Sequence, residues 1–273
     1  GATGANRFYS GIQITCSDIT LRSEGYRSAE LRPLMDYGGE LIAVCPAFTN
    51  SPNFGGDKDC DSAADISNVK IQDIHLFDDA PTSHCQGYSA ATGTCTSEET
   101  HAIFISDCIG CEITGNKIDS TGDEGITVLA VNTLISGNLF VNTPSIRGSG
   151  GSGLTIDTQG ATVTNNTFTG LLADPQGDGG SCTTSCQNLG SSIHLETSHD
   201  SDDNENILIH GNRFKSIDGN FAIAIGSNGA GNTGITISDN TIEMLSASTY
   251  GCLSTGSTAA VPSRCAISKT GTA

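Results

Sequence analysis

Apolar and polar residues alternate with period two in short runs along the whole chain, and none of these runs follows the 3.6-residue period of a helix. The hexad "ITGNKI" at position 113 returns as "ISGNLF" at 135, "VTNNTF" at 163, "IHGNRF" at 209 and "ISDNTI" at 237. Each copy is rich in β-branched residues and bounded by Gly, Asn or Asp, so each is predicted to be a strand running into a turn. Looser copies, "ITCSDI" at 14 and "VKIQDI" at 69, align Ser17 and Gln72 with Asn116, Asn138, Asn166, Asn212 and Asn240. From Gln72 onward that polar position recurs after 44, 22, 28, 46 and 28 residues, a base period in the twenties stretched by insertions. A fixed period of this size identifies a solenoid.

A second set of hexads precedes the asparagines: "ELIAVC" from 40, "HAIFIS" from 101, "EGITVL" from 124, "SGLTID" from 152, "SSIHLE" from 191 and "FAIAIG" from 221. The residues after each Asn supply a short third strand. Three strands per turn predict an all-β fold, a single-stranded right-handed parallel β-helix in which each strand pairs with its counterpart one coil away. The Asn column fits that architecture. A side-chain amide carries two donors and an acceptor, so it can bond to the coils above and below, and Asn tolerates the left-handed backbone of a sharp corner. Asn116, Asn138, Asn166, Asn212 and Asn240 are therefore assigned a structural role.

The composition, with 34 Gly, 7 Pro and no Trp, suits many turns around a thin core. Residues 1–273 are expected to form one domain, with regular coils over about 12–245 and a disulfide-tied segment at 246–273. No run approaches the roughly 18 apolar residues of a membrane span, and no leader pattern opens the chain, which suggests a mature or excised protein. The chain enters "SGIQIT" without a polar cap. Solenoids need caps, so further domains or self-assembly are expected.

Eleven Cys, many in polar stretches, indicate an oxidising compartment and hence secretion. Pairs close in sequence are Cys85 with Cys95, Cys182 with Cys186, Cys252 with Cys265, and Cys45 with Cys60. Cys108 and Cys111 form a C-x-x-C without a second such motif, which favours a disulfide or buried thiols over zinc. The odd total leaves one thiol over, with Cys16 the candidate.

A formal charge of −18 with only 12 basic residues excludes nucleic acid and anionic membrane as partners, and disfavours bare polyanions. A polyuronate would need Ca²⁺ to bridge it to the protein. The stretch "HDSDDNEN" offers Asp200, Asp202, Asp203 and Glu205 as oxygen ligands, although its spacing is not that of an EF-hand and a solvated acidic loop is the alternative.

Insertions at 46–66, 78–99, 171–190 and 197–205 interrupt the scaffold and flank the first-strand face, nominating that face as the floor of a binding groove. Alternation points Ile103, Ile105, Ile126, Val128, Leu154, Ile156, Ile193, Leu195, Ile223 and Ile225 inward. One outward column is then Ala43, Phe104, Thr127, Thr155, His194 and Ala224. The next is Cys45, Ser106, Leu129, Asp157, Glu196 and Gly226. Strands about 4.8 Å apart bring Asp157 and Glu196 close enough for one to hold a proton while the other stays ionised. His194 can act as a general base near neutral pH. Asp123 and Glu124 stand where the chain enters the same face. Asp123, Glu124, Asp157, His194 and Glu196 are the catalytic candidates, and His101, Phe104, Thr127, Arg147, Thr155 and His199 the substrate-binding ones. The competing reading is a solvated acidic surface.

The segment "GDEGITV" resembles the paired-acid motif of the pectin-degrading hydrolases, in which two acids precede a Gly or Cys and an alternating strand. The repeat resembles the wider pectin-lyase-like superfamily over nearly the whole chain. The resemblance implies a polysaccharide substrate and a carboxylate-based site. The hydrolases' other motifs do not follow: His101 stands at the acid's place one coil earlier, "GSGGSGL" lacks their His, and no Arg-x-Lys appears. Three functions are consistent with these features. A glycan hydrolase would draw on the carboxylates, with a spacing near 5 Å for retention and about 6.5–9.5 Å for inversion. A uronan lyase or epimerase would use His194 or His101 as base, with Arg147 or Ca²⁺ as neutraliser. A non-catalytic adhesin, fibre or spike subunit would use the fold alone.

Overall fold

The computed structural model describes residues 11–32, 40–45, 65–77, 101–121, 124–141, 152–170, 191–196, 204–217, 221–225, 232–244 and 267–269. A first pass contains β1 (Ile12–Ile14), β2 (Thr20–Arg22) and β3 (Ala29–Leu31). The second contains β4 (Ile42–Val44), β5 (Ile66–Ser67), β6 (Lys70–Gln72) and β7 (Ile74–Phe77). The third contains β8 (His101–Ile105), β9 (Cys108–Ile109), β10 (Glu112–Thr114) and β11 (Lys117–Asp119). Then follow β12 (Glu124–Val128), β13 (Leu134–Ser136) and β14 (Leu139–Val141), and β15 (Ser152–Ile156), β16 (Thr162–Thr164) and β17 (Thr167–Thr169). The last passes are β18 (Ser191–Leu195), β19 (Leu208–His210) and β20 (Arg213–Ile217), then β21 (Phe221–Ile225), β22 (Thr236–Ser238) and β23 (Thr241–Met244). Finally, β24 (Ile267–Lys269) pairs with β21.

All pairings between these strands are parallel. They build an eight-stranded sheet A (β1-β4-β8-β12-β15-β18-β21-β24), two seven-stranded sheets, B (β2-β6-β10-β13-β16-β19-β22) and C (β3-β7-β11-β14-β17-β20-β23), and a two-stranded sheet of β5 and β9. The chain visits A, B and C in turn, and each strand pairs with the one a single pass away. The described residues are therefore all-β and solenoid-like, and no helix among them is long and apolar enough to cross a membrane.

Alternation explains the core. Nine of the ten inward residues expected on sheet A join one buried apolar cluster and the half-buried Ile225 packs against it, and sheet B sends in Ile71, Ile113, Ile135, Val163 and Ile209. Sheet C contributes a ring stack, Phe140 on Phe168 on Phe214, with centroids 4.4 and 5.0 Å apart. Cys108 and Cys111 are joined by a disulfide, Cys16 is a free exposed thiol, and Cys45 is disulfide-bonded. The partner expected for Cys45 and the other three Cys pairs lie outside the described residues.

The asparagine ladder forms in full. Asn138 Nδ2 donates to Ile113 O at 2.8 Å and to Asn166 Oδ1 at 3.0 Å, while its Oδ1 accepts from Asn116 N at 2.9 Å and Asn116 Nδ2 at 3.1 Å. Asn166 and Asn212 repeat the pattern, and Asn240 Nδ2 bonds to Ile209 O at 2.9 Å. Two expectations are corrected here. The left-handed residue is the one before each ladder Asn: Gly115, Gly137, Asn165, Gly211 and Asp239 have φ from 53° to 70°. The amide column needs a backbone that lets the side chain point in, and the preceding residue makes the bend. In addition, Gln72 pairs with Thr114, so Ile74 takes the place of Asn116 in that pass, and Ser17 lies before β2, outside the ladder. A two-residue slip preserves which face each side chain occupies, so alternation alone could not detect it.

The corner from sheet A to sheet B has its own column of positive φ, in which Asn68, Gly110, Asn132, Gly160, Asn206 and Gly234 alternate at 55° to 74°. Each Asn points its side-chain oxygen at the glycine of the next pass. A Cβ on Gly234 would lie 2.7 Å from Asn206 Oδ1, and one on Gly160 would overlap Asn132 Oδ1. Gly160→Ala is expected to cost about 2–4 kcal/mol in chemical denaturation, combining the left-handed penalty with the overlap. Adding Asn132→Gly should return the part due to overlap.

Candidate functional site

The outward side of sheet A carries ionisable groups on successive passes. Each long strand enters this face through a small residue, Ala102, Gly125, Gly153, Ser192 or Ala222, that is buried toward the interior. A Cβ on Gly153 would lie 2.8 Å from Ser192 O and 3.3 Å from the Phe168 ring, so larger side chains do not fit there. The small residue and the Ile or Leu after it are both buried, so alternation breaks and the residue before it faces out. That break places His101 and Glu124 in one outward column, in register across β8 and β12.

The two side chains meet. His101 Nε2 lies 3.1 Å from Glu124 Oε2, with the side chains only 5% and 16% exposed. Thr127 Oγ1, three residues along the strand, donates to Oε2, and Thr155 Oγ1 on the next pass donates to Oε1 at 2.7 Å. The His101 ring stacks on Phe104 with centroids 5.9 Å apart and planes 15° from parallel. Phe104, Thr127 and Thr155 themselves are buried. Burial alone would raise the Glu124 carboxyl, but the hydrogen bond and charge of His101 and the Thr127 and Thr155 hydroxyls outweigh it. Glu124 is held well below the usual carboxylate range, a fixed anion that is unsuited to donating a proton.

A depressed carboxyl stabilises the fold above its unfolded value, about 4.3 for Glu, and that contribution is lost as pH falls below it. Wild type should therefore lose more stability than Glu124→Gln between about pH 6 and pH 3 in urea titrations. Parallel pH dependences would contradict the assignment.

The next two passes bring Asp157, His194 and Glu196. Asp157 N donates to Val128 O at 3.0 Å and Glu196 N to Ile156 O at 2.9 Å, so the two acids occupy one column on adjacent passes. His194 pairs with Thr155, which binds Glu124. Asp157 is buried, while His194 and Glu196 are half-buried. Three residues escaped the pattern reading. Asn204 is fully buried and donates to Glu196 O at 2.6 Å while accepting from Thr158 N at 2.9 Å, which ties together the corner behind both acids. Ser152 and Ser191 continue the Glu124 column, with their hydroxyls 3.0 Å apart.

Asp123, Arg147, His199, Asp200, Asp202 and Asp203 lie outside the described residues. Glu205 does not stand on this face; it sits at the A-to-B corner, bridging Gln159 and Thr233 through its backbone. Among the described residues no group of three or more His, Cys, Asp or Glu could hold a metal ion. No protein-family model matches the chain, and comparison with curated proteins and with solved structures finds no similar protein.

Proposed function

We propose that the chain is a right-handed parallel β-helix of the pectin-lyase-like kind, secreted, and that it cleaves glycosidic bonds of an uncharged extracellular polysaccharide on the outward face of sheet A. One observation carries this reading: strands β8 to β18 of sheet A carry acids and histidines without Lys or Arg, whereas sheets B and C mix acids with cations. His101, Glu124, Asp157, His194 and Glu196 occupy the outward columns of sheet A, whose strands β1, β4, β8, β12, β15, β18 and β21 carry no Lys or Arg; Lys269 lies on the edge strand β24. The cations Arg22 and Lys70 lie on sheet B with Glu112, Arg27 lies between β2 and β3, and Arg32, Lys117, Arg213 and Lys215 lie on or beside sheet C with Glu30, Asp119 and Glu243. Solenoid geometry does not require such an arrangement, whereas glycoside cleavage needs two carboxyl groups in different protonation states. Glu124 supplies the permanent anion. The Asp157–Glu196 pair, in which like charges disfavour double ionisation, supplies the proton. Three carboxylates with no Lys or Arg on strands β1 to β21 of this sheet also disfavour a polyuronate, which favours a neutral glycan.

The test is incubation with a panel of neutral and uronic polysaccharides, with and without chelator, comparing wild type with Asp157→Asn and Glu196→Gln. New reducing ends on a neutral glycan, lost in both variants, support hydrolysis. Unsaturated uronate products that require Ca²⁺ would favour instead the lyase reading, in which the half-buried His194 is the base. No turnover on any glycan would leave a binding or structural role.

A further inference from the structure

Asn204 stands in the corner behind Asp157 and Glu196, which share one column on adjacent passes. Glu205 bridges to Gln159, so Asn204 falls opposite Thr158, the residue after Asp157. Glu196 and Asn204 therefore fill consecutive positions of their pass, although residues 197–203 separate them in sequence. The side chain of Asn204 is fully buried. The backbone around it is fixed from both sides: Asn204 O accepts from Thr233 N at 2.9 Å on the next pass, and Glu205 O accepts from Gly160 N at 2.8 Å on the preceding one.

Glu196 N donates to Ile156 O at 2.9 Å, and the next bond of an evenly spaced parallel ladder would run from Thr158 N to Glu196 O. The Asn204 amide takes its place. Its Oδ1 accepts from Thr158 N at 2.9 Å and its Nδ2 donates to Glu196 O at 2.6 Å, so one planar group is inserted between a donor and an acceptor that would otherwise meet. Each bond grips a peptide unit that carries an acid. Thr158 N belongs to the Asp157–Thr158 peptide, and Glu196 O is the carbonyl of Glu196 itself.

We propose that Asn204 is a positioning residue: its amide, in place of a direct bond between the ends of β15 and β18, fixes the separation of the Asp157 and Glu196 carboxyl groups. The assignment rests on the reading of these two acids as the acid–base pair of glycan cleavage. That chemistry depends on the separation, because it sets what fits between the two groups, and a displacement of about 1 Å in such a site can cost about 100-fold in rate. Asn204 is shut away from solvent and touches no substrate. Its removal therefore acts on kcat and spares KM.

The experiment compares steady-state kinetics of wild type, Asn204→Ala and Thr133→Val on the neutral polysaccharide of the panel that wild type cleaves fastest, at a temperature where circular dichroism shows each protein folded. Thr133 Oγ1 is buried and donates to Ala130 O at 2.8 Å in the same corner two passes earlier, so its loss controls for destabilisation alone. In Asn204→Ala, kcat is expected to fall by about ten- to hundredfold with KM within about twofold of wild type, while Thr133→Val keeps both. Asn204→Ser, whose hydroxyl ends one bond short of the amide nitrogen, should show the same split at smaller size and keeps the test open if Asn204→Ala fails to fold. Unchanged kcat in the Asn204 variants, or a loss that falls on KM, overturns the proposal and leaves the acid pair standing. A wild type that cleaves no glycan removes the acid–base reading and the proposal with it.

Discussion

Replacing Asn138 by alanine is expected to lower stability by about 3–5 kcal/mol, as should the same change at Asn166, which stands in the same bonding pattern. The cause is the stranding of partners more than the loss of contacts. With Asn138 gone, Asn116 N–H and one Asn116 Nδ2 hydrogen have no acceptor, both inside a buried column. Ile113 O loses a donor at the same time. Asn138→Asp is the sharper probe. It keeps the shape but turns an oxygen toward Ile113 O and Asn166 Oδ1, so it should be at least as damaging as alanine. Asn240, part-buried at the last rung, should cost about 1–2 kcal/mol when truncated. Urea denaturation of the three variants decides the matter; equal losses at Asn138 and Asn240 would show that the ladder is not a buried network.

Glu124→Gln is expected to reduce glycan cleavage by about 10³-fold while leaving the fold intact, within the range for removing a charged group from an acid–base site. The amide preserves size and can still accept from Thr155, but it presents no anion to His101 or to a developing positive charge. Thr155→Val should give a smaller loss and move the acid limb of the pH profile upward, because the carboxyl loses a donor that holds it ionised. Rescue by Thr155→Ser would separate that role from packing. If Glu124→Gln retained full activity, the sheet A face would not be the reaction centre.

The interior of this molecule was readable from alternation because aliphatic residues repeat at fixed places: Ile103, Ile126, Leu154, Ile193 and Ile223 stack as expected. The ladder was readable because one residue type recurs at one corner. The His101–Glu124 contact was not. Extending the alternation backward from Ile103 points residue 101 inward, and only the break at Ala102 and Gly125 turns it out. The signal was present in "HAIFI", "EGITV", "SGLTI", "SSIHL" and "FAIAI", where a small residue always stands second, but period-two reading has no place for such a break. The slip at Gln72 escaped for the opposite reason, since moving two residues along a strand changes nothing that hydrophobicity records.

The ladder asparagines are separated by 22, 28, 46 and 28 residues, yet every neighbouring pair is in hydrogen-bonding contact. Chain length and axial advance are thus uncoupled: a separation of 46 residues between two rungs moves the next rung no further along the axis than one of 22. A lineage carrying this scaffold can lengthen, trim or exchange the segments between rungs one at a time, and each exchange leaves the address of every other side chain unchanged. The molecule is in that sense a ruler with replaceable attachments.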